Sequence, residues 1–233
     1  METEEESASP NLLQLLEEAK DFIQTPDIVY CIDSGAFDYE NLWITSSLRG
    51  CITAAYSVEA GMQGYHSGEL GGILPETFRV WRELLDRVDD VKTGVGAAEF
   101  QTEIPQWAKE EAKMMASLSG EQMFKKYRIH EGVKCMNQDE LHEMYLNNTW
   151  RPCLAVTGID GIPTVEKGGN VCRPSTTLKL SMRTAPNANA KACLDALHKK
   201  MTENIPYNCK VSQVGGSASG QGWCMKEMPQ WLK

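Results

Sequence analysis

Histidine is scarce in this chain. Only four occur in 233 residues, His66, His130, His142 and His198, and none stands at the spacing of a metal-binding pair. His142-Glu143 opens like H-E-x-x-H, but Leu146 sits where the second imidazole would be, so a helix-borne zinc pair is excluded. The eight cysteines never form C-x-x-C, which excludes a zinc ribbon and a thioredoxin-type pair; most read as small core residues of a reduced compartment. Gly94-Val95-Gly96-Ala97-Ala98-Glu99 lacks a third glycine and follows no strand, so it is no dinucleotide turn. No apolar run approaches the roughly 20 residues of a membrane helix, and the start is acidic where a signal peptide is basic, which together point to the cytosol. Basic residues are the minority, 23 against 32 acidic, for a formal charge of −9. With no basic patch to offset that charge, nucleic acid is excluded as a partner.

What is present is α+β. Ser9-Pro10 reads as a helix start, with Leu12, Leu15, Leu16, Ala19, Phe22 and Ile23 on one stripe, followed by an apolar strand over 28–32 that ends at Asp33. From Leu48 the pattern changes: Ile52, Ala54, Tyr56 and Val58 alternate with small and polar residues, as in a strand with one buried face. A glycine-rich loop, 61–72, leads to a helix opened by Pro75 with Phe78, Trp81, Leu84, Leu85 and Val88 inward. Residues 92–150 read as a polar insert with helices near 105–118, 121–128 and 138–147. Strands follow at 153–157 and 176–183, then a helix at 187–204 and a strand at 210–214. The order strand, helix, strand, strand, helix, strand predicts a ferredoxin-like lid, an antiparallel sheet with two helices on one face. The glycine and serine of 215–222 suggest a hinge. The expected domains are a catalytic α/β fragment over 1–47, a lid over 48–214, and a hinge with the start of a second catalytic segment over 215–233.

Glu2-Thr3-Glu4-Glu5-Glu6-Ser7-Ala8-Ser9 resembles the E-G-x-E-E-x-G-S signature of carnosinase-like dipeptidases, within the two-zinc metallopeptidases that include glutamate carboxypeptidase and aminoacylase. Ile32-Asp33-Ser34-Gly35, Ser47-Leu48-Arg49-Gly50, Tyr65-His66-Ser67-Gly68, Gly71-Gly72 and Ser181-Met182-Arg183 follow in the family's order. The resemblance implies that Glu5 is a general base, that Glu6 and Asp33 each ligate one of two zinc ions (or manganese or cobalt), and that His66 stabilises an oxyanion across a homodimer. It further implies that Asn170 helps bind the substrate carbonyl and that Arg183 holds the terminal carboxylate of a dipeptide or N-acyl amino acid. Periodicity independently places Arg183 on the face opposite Leu178 and Met182, and a guanidinium can clasp a carboxylate through two parallel hydrogen bonds.

Thr3 and Ala8 replace family glycines. The family's H-x-D motif and closing histidine find no counterpart, so the expectation is a central segment of a metallopeptidase, inactive alone for want of ligands. The rival of a different class is a non-catalytic ferredoxin-like dimerisation module.

Overall fold

The structure, a computed structural model, describes residues 9–26, 29 and 37–226. Glu5, Glu6, Asp33 and nearly all of the expected 28–32 strand lie outside the described residues. The chain divides into two compact units, Met1–Trp43 and Ile44–Lys233.

In the first unit the expected helix is two short ones, α1 (Leu12–Glu18) and α2 (Lys20–Ile23). Ser9 is not the N-cap. It adopts a left-handed φ of 44° and its carbonyl accepts from Leu12 N at 3.1 Å, so Pro10 lies in a turn and the helix opens after Asn11. Neither helix buries a residue; Leu16 is 45% and Phe22 92% exposed, so among the described residues the apolar stripe has no cover.

The second unit runs β1 (Ser47–Leu48), β2 (Gly50–Glu59), β3 (Tyr65–His66), α3 (Ser67–Leu70), α4 (Thr77–Asp86), α5 (Gln106–Ser119), α6 (Gln122–Lys125), α7 (Leu141–Thr149), β4 (Cys153–Asp160), β5 (Val171–Cys172), β6 (Ser175–Thr184), α8 (Ala190–Thr202), β7 (Lys210–Gly220) and β8 (Trp223–Cys224). Four strands form one antiparallel sheet in the order β4-β6-β2-β7. The period-two alternation seen in the sequence sets its faces. Ile52, Tyr56, Val58, Leu180 and Met182 are fully buried, and they pack with Val80, Trp81 and Leu84 of α4 and Cys193, Leu197 and Met201 of α8 in one core. Each large aliphatic side chain withdrawn in this way contributes about 1.5–3 kcal/mol.

Both helices start on side-chain caps: Glu76 Oε2 accepts from Phe78 N at 2.8 Å, and Asn189 Oδ1 from Ala192 N at 3.0 Å. Phe78, expected inward, is 37% exposed, and Thr77 is buried in its place. The reason is polar. Thr176 turns its hydroxyl into the core and meets Thr77 Oγ1 at 2.6 Å, while Trp81 Nε1 donates to the Thr176 carbonyl at 3.0 Å. A phenyl ring in the place of Thr77 would leave that hydroxyl without a partner.

Two expected boundaries move. Strand β4 runs on to Asp160 through a register shift between Val156 and Gly158. The glycine-rich 215–222 stretch, expected as a hinge, begins as strand. It continues β7 to Gly220, with an irregularity where Ala55 faces Val214 and Thr53 faces Ala218. Gly222, just past the strand, answers a steric demand: a Cβ there would lie 2.8 Å from Gly50 N and from Pro186 Cα.

The insert is packed. Ala108, Ala112, Leu146 and Trp150 form a second small core that also takes Cys224 of β8, and Trp107 meets Trp150 edge-on at 5.6 Å. Strands β1 and β8, through which the chain enters and leaves the sheet, pair with each other, and Ser46 Oγ bonds Glu111 of α5 at 2.7 Å. The insert therefore braces both crossings.

Candidate functional site

Strand β3 pairs with β5, His66 opposite Val171, and Ser67 N donates to the Asn170 carbonyl at 2.9 Å. His66 and Asn170, 104 residues apart in sequence, thus share one exposed two-stranded ribbon. His66 also caps α3: its Nδ1 accepts from Gly68 N at 3.1 Å. With Nδ1 accepting, the proton of the neutral ring sits on Nε2, which is left as a donor. Gly68 permits this pose, because a Cβ there would lie 2.9 Å from His66 Nδ1. A Cβ on Gly64 would meet Val171 Cγ1 at 2.8 Å, so that side chain would have to shift.

Arg183 is elsewhere. It lies near the end of β6, exposed on the face away from α4 and α8, opposite Cys51 on one side and Cys153 on the other. The ribbon joins β6 at its other end, just before Ser175. Eight residues of strand, about 27 Å, therefore separate the two groups within one chain. A dipeptide cannot bridge that distance.

Arg49 is a residue to which the sequence reading assigned no role. Half-buried beside Arg183 and Cys153, it donates from Nη1 to the carbonyls of Asn147 and Arg151, both at 3.3 Å. Burial lowers its guanidinium below the ordinary range; Cys153 opposes that shift and Arg183 adds to it. Its presence in Ser47-Leu48-Arg49-Gly50 was the available signal, but nothing in the sequence says that it meets the end of β6. Among the described residues no carboxylate forms an ion pair with Arg49 or Arg183.

Other features do not compete. Tyr56, whose hydroxyl burial pushes up to about 12, is core and stays neutral. A cavity of about 520 Å³ beside the insert is lined by Val95, Met136, Asn147, Arg151 and Pro152, and Arg151 there is already held by Glu143. No cluster of three His, Cys, Asp or Glu fit for a metal occurs among the described residues. The fit of Glu5, Glu6 and Asp33 to a metal lies outside them.

No family model matches the chain. It is 23% identical over 214 residues to the cysteinylglycine-S-conjugate dipeptidase of Corynebacterium striatum, covering 91% of this chain and 44% of the relative. It is 27% identical over 204 residues to the Beta-Ala-His dipeptidase of Homo sapiens, covering 86% and 39%. Among solved structures, a di-peptidase of Saccharomyces cerevisiae shares the fold with a TM-score of 0.62 at 22% identity, over 96% of this chain and 47% of that one. An M20 family metallo-carboxypeptidase of Sulfolobus solfataricus does so at 0.61 and 15% identity, over 87% and 52%. The chain spans less than half the length of the curated relatives it matches. The resemblance carried by the motifs holds: the relatives of this chain are dipeptidases, and its fold is that of part of an M20 metallopeptidase.

Proposed function

We propose that residues 48–214 are the ferredoxin-like lid of a metal-dependent dipeptidase or carboxypeptidase, acting on dipeptides or N-acyl amino acids, and that the lid works as a homodimer. The observation that carries this reading is the separation of His66 and Asn170, on the β3–β5 ribbon, from Arg183 near the far end of β6. Three groups suited to a single small substrate lie at two ends of one chain, and a second copy supplies the missing end to each site.

Within such a site Arg183 receives the substrate's terminal carboxylate through its two parallel N–H groups. From the other subunit, His66 Nε2–H donates to the scissile carbonyl oxygen as negative charge develops on it, and the Asn170 amide adds a second donor. Glu6 and Asp33 would hold the divalent ions, zinc in the family, and Glu5 would accept the proton of the attacking water. Bound, such ions lower the pKa of water toward neutrality.

The test is complementation. His66→Ala and Arg183→Ala are each made in the protein carrying a complete ligand set, and peptide hydrolysis is measured for each and for an equal mixture refolded together. Each variant alone is inactive. Random pairing makes half the dimers mixed, each with one intact site, so activity returns to about one quarter of the unmodified level. No recovery in a mixture shown to be dimeric contradicts the shared site. A folded, metal-loaded protein that hydrolyses no peptide favours a dimerisation module instead.

A further inference from the structure

Three arginines meet at the end of the sheet where β2 begins, and each is held differently. Arg151 gives Nη2 to the Glu143 carboxylate and Nη1 to Asn147 Oδ1 at 2.8 Å, so its charge is answered by α7. Arg49, just before β2, lays Nη1 between the carbonyls of Asn147 and Arg151, both at 3.3 Å. It is half-buried and keeps its charge, since a guanidinium stays protonated in a protein and no described carboxylate reaches it. Arg183 is exposed on the polar face, opposite Cys153 of β4. Among the described residues no carboxylate pairs with it and no acceptor takes a hydrogen bond from its side chain. The carbonyls that fix Arg49 are strong acceptors: Asn147 lies in the last turn of α7, where C=O groups lack helical partners and carry the negative end of the helix dipole. Arg151 stands two residues before Cys153, so its carbonyl is the diagonal neighbour of Arg183, a range that a long side chain covers.

We propose that Arg49 is a positioning residue for the carboxylate-binding end of the site: it occupies the acceptors at the end of α7 that Arg183 would otherwise turn to, and its like charge holds the Arg183 guanidinium outward. The Arg183 fork is thereby left free for a carboxylate, and the fixed charge of Arg49 adds to the field that the carboxylate meets. Arg151 cannot take this part, because Glu143 cancels its charge. The inference rests on the reading of Arg183 as the receiver of the substrate's terminal carboxylate. It also gives the insert a part in substrate binding, since the acceptors that fix Arg49 belong to α7 and its exit.

The experiment titrates N-acetylglycine and N-acetylglycinamide, which differ in the charge at the carboxyl end, into the chain and follows the arginine Nε–Hε resonances. N-acetylglycine should shift the signals of Arg183 and Arg49, and the amide neither. Arg49→Gln should weaken N-acetylglycine about fivefold, whereas Arg49→Lys, which keeps the charge, should stay within about twofold of the unmodified chain. A purely structural role would harm both variants alike. In the protein carrying a complete ligand set, Arg49→Gln should raise KM for a dipeptide about fivefold and move kcat by less than about twofold, because a carboxylate held equally in ground and transition states contributes to binding alone. Equal affinity for N-acetylglycine in the unmodified chain and Arg49→Gln, or equal losses in the Gln and Lys variants, overturns the inference and leaves the reading of Arg183 standing. No shift at Arg183 in the unmodified chain overturns both. A shift at Arg183 with none at Arg49 overturns the inference without any variant, so the test survives if Arg49→Gln does not fold.

Discussion

Gly50 and Gly222 are where two stretches of backbone cross, and replacing either with alanine tests that packing against the hinge first expected at 215–222. A Cβ on Gly50 would sit 2.4 Å from Thr184 Oγ1, 2.7 Å from Gly220 O and 2.9 Å from Gly222 N. Thr184 is fully buried and could turn its hydroxyl aside, but the other two atoms are main chain and can give way only if β7 or its exit moves. Overpacking of this kind costs about 1–3 kcal/mol, and backbone contacts on two sides put Gly50→Ala near the upper figure. For a chain of this size that is a fall of about 6–12 °C in Tm. Gly222→Ala, with Gly50 N, Pro186 Cα and Pro186 O all at 2.8 Å, should cost a similar amount. The double variant should cost less than the sum, because one displacement of the exit strand relieves both clashes. Gly216→Ala is the control. Nothing lies within 4 Å of its Cβ and its φ is not positive, so it should stay within about 0.5 kcal/mol of the parent. Denaturant and thermal unfolding followed by circular dichroism would measure all four. A hinge predicts similar tolerance at 50, 216 and 222, and that outcome would refute the crossing.

Thr77→Val should destabilise by about 1–3 kcal/mol in urea unfolding, because it removes the partner of the buried Thr176 hydroxyl while keeping the volume. Gly68→Ala should push the His66 ring off its bond to Gly68 N, seen as a changed imidazole resonance with Tm lowered by no more than a few degrees; an unchanged ring would remove the assigned tautomer. The Asp89 carboxyl is raised above 3.8, chiefly by burial and then by Asp86 and Asp90. A raised carboxyl favours the native state when protonated, so its contribution is present below the unfolded value and lost as pH rises through the folded one. Asp89→Asn should therefore stabilise the chain at neutral pH and cease to do so below about pH 4; a benefit independent of pH would contradict the assignment. Zinc titrated into the chain by calorimetry should show no stoichiometric submicromolar site, since Glu6 and Asp33 would supply only part of a ligand set.

The alternation of Ile52, Ala54, Tyr56 and Val58 made the buried face of β2 legible, and Leu178, Leu180 and Met182 did the same for β6, because a strand's period is fixed by its pleat. Helices α5 and α7 were placed within a few residues by their spacing alone. The strand over Gly215–Gly220 was not legible, for a physical reason. Glycine marks both freedom and close approach, and only the fold decides which applies; Gly215 and Gly216 have open space around them, whereas Gly50 and Pro186 occupy the space a side chain on Gly222 would need. Phe78 misled because hydrophobicity does not register that an inward Thr176 hydroxyl needs a partner. The cysteines were expected in the core, and Cys172 and Cys193 are there, but Cys153 is exposed beside two arginines.

The expected site residues were legible as types and illegible as a constellation, since a motif in sequence order says nothing about distance. His66 and Asn170 meet because β3 and β5 pair, with close approach at Gly64 and Gly68. Arg183 is carried away from them by the length of β6, and the same strand brings it to Arg49, where the chain enters the sheet between the paired crossings and the insert. The insert therefore acts on Arg183 indirectly: Asn147 of α7 and Arg151 just beyond that helix hold Arg49 through backbone carbonyls, which do not change with the side chains that carry them. Side-chain replacement at Asn147 should leave Arg49 in place, whereas loosening the α5–α7 contact at Trp150 should release it, and with it the positive charge beside Arg183. Hydrogen exchange at β1 and β8 would report that loosening, because both strands rest on the same small core through Cys224 and the Ser46–Glu111 bond.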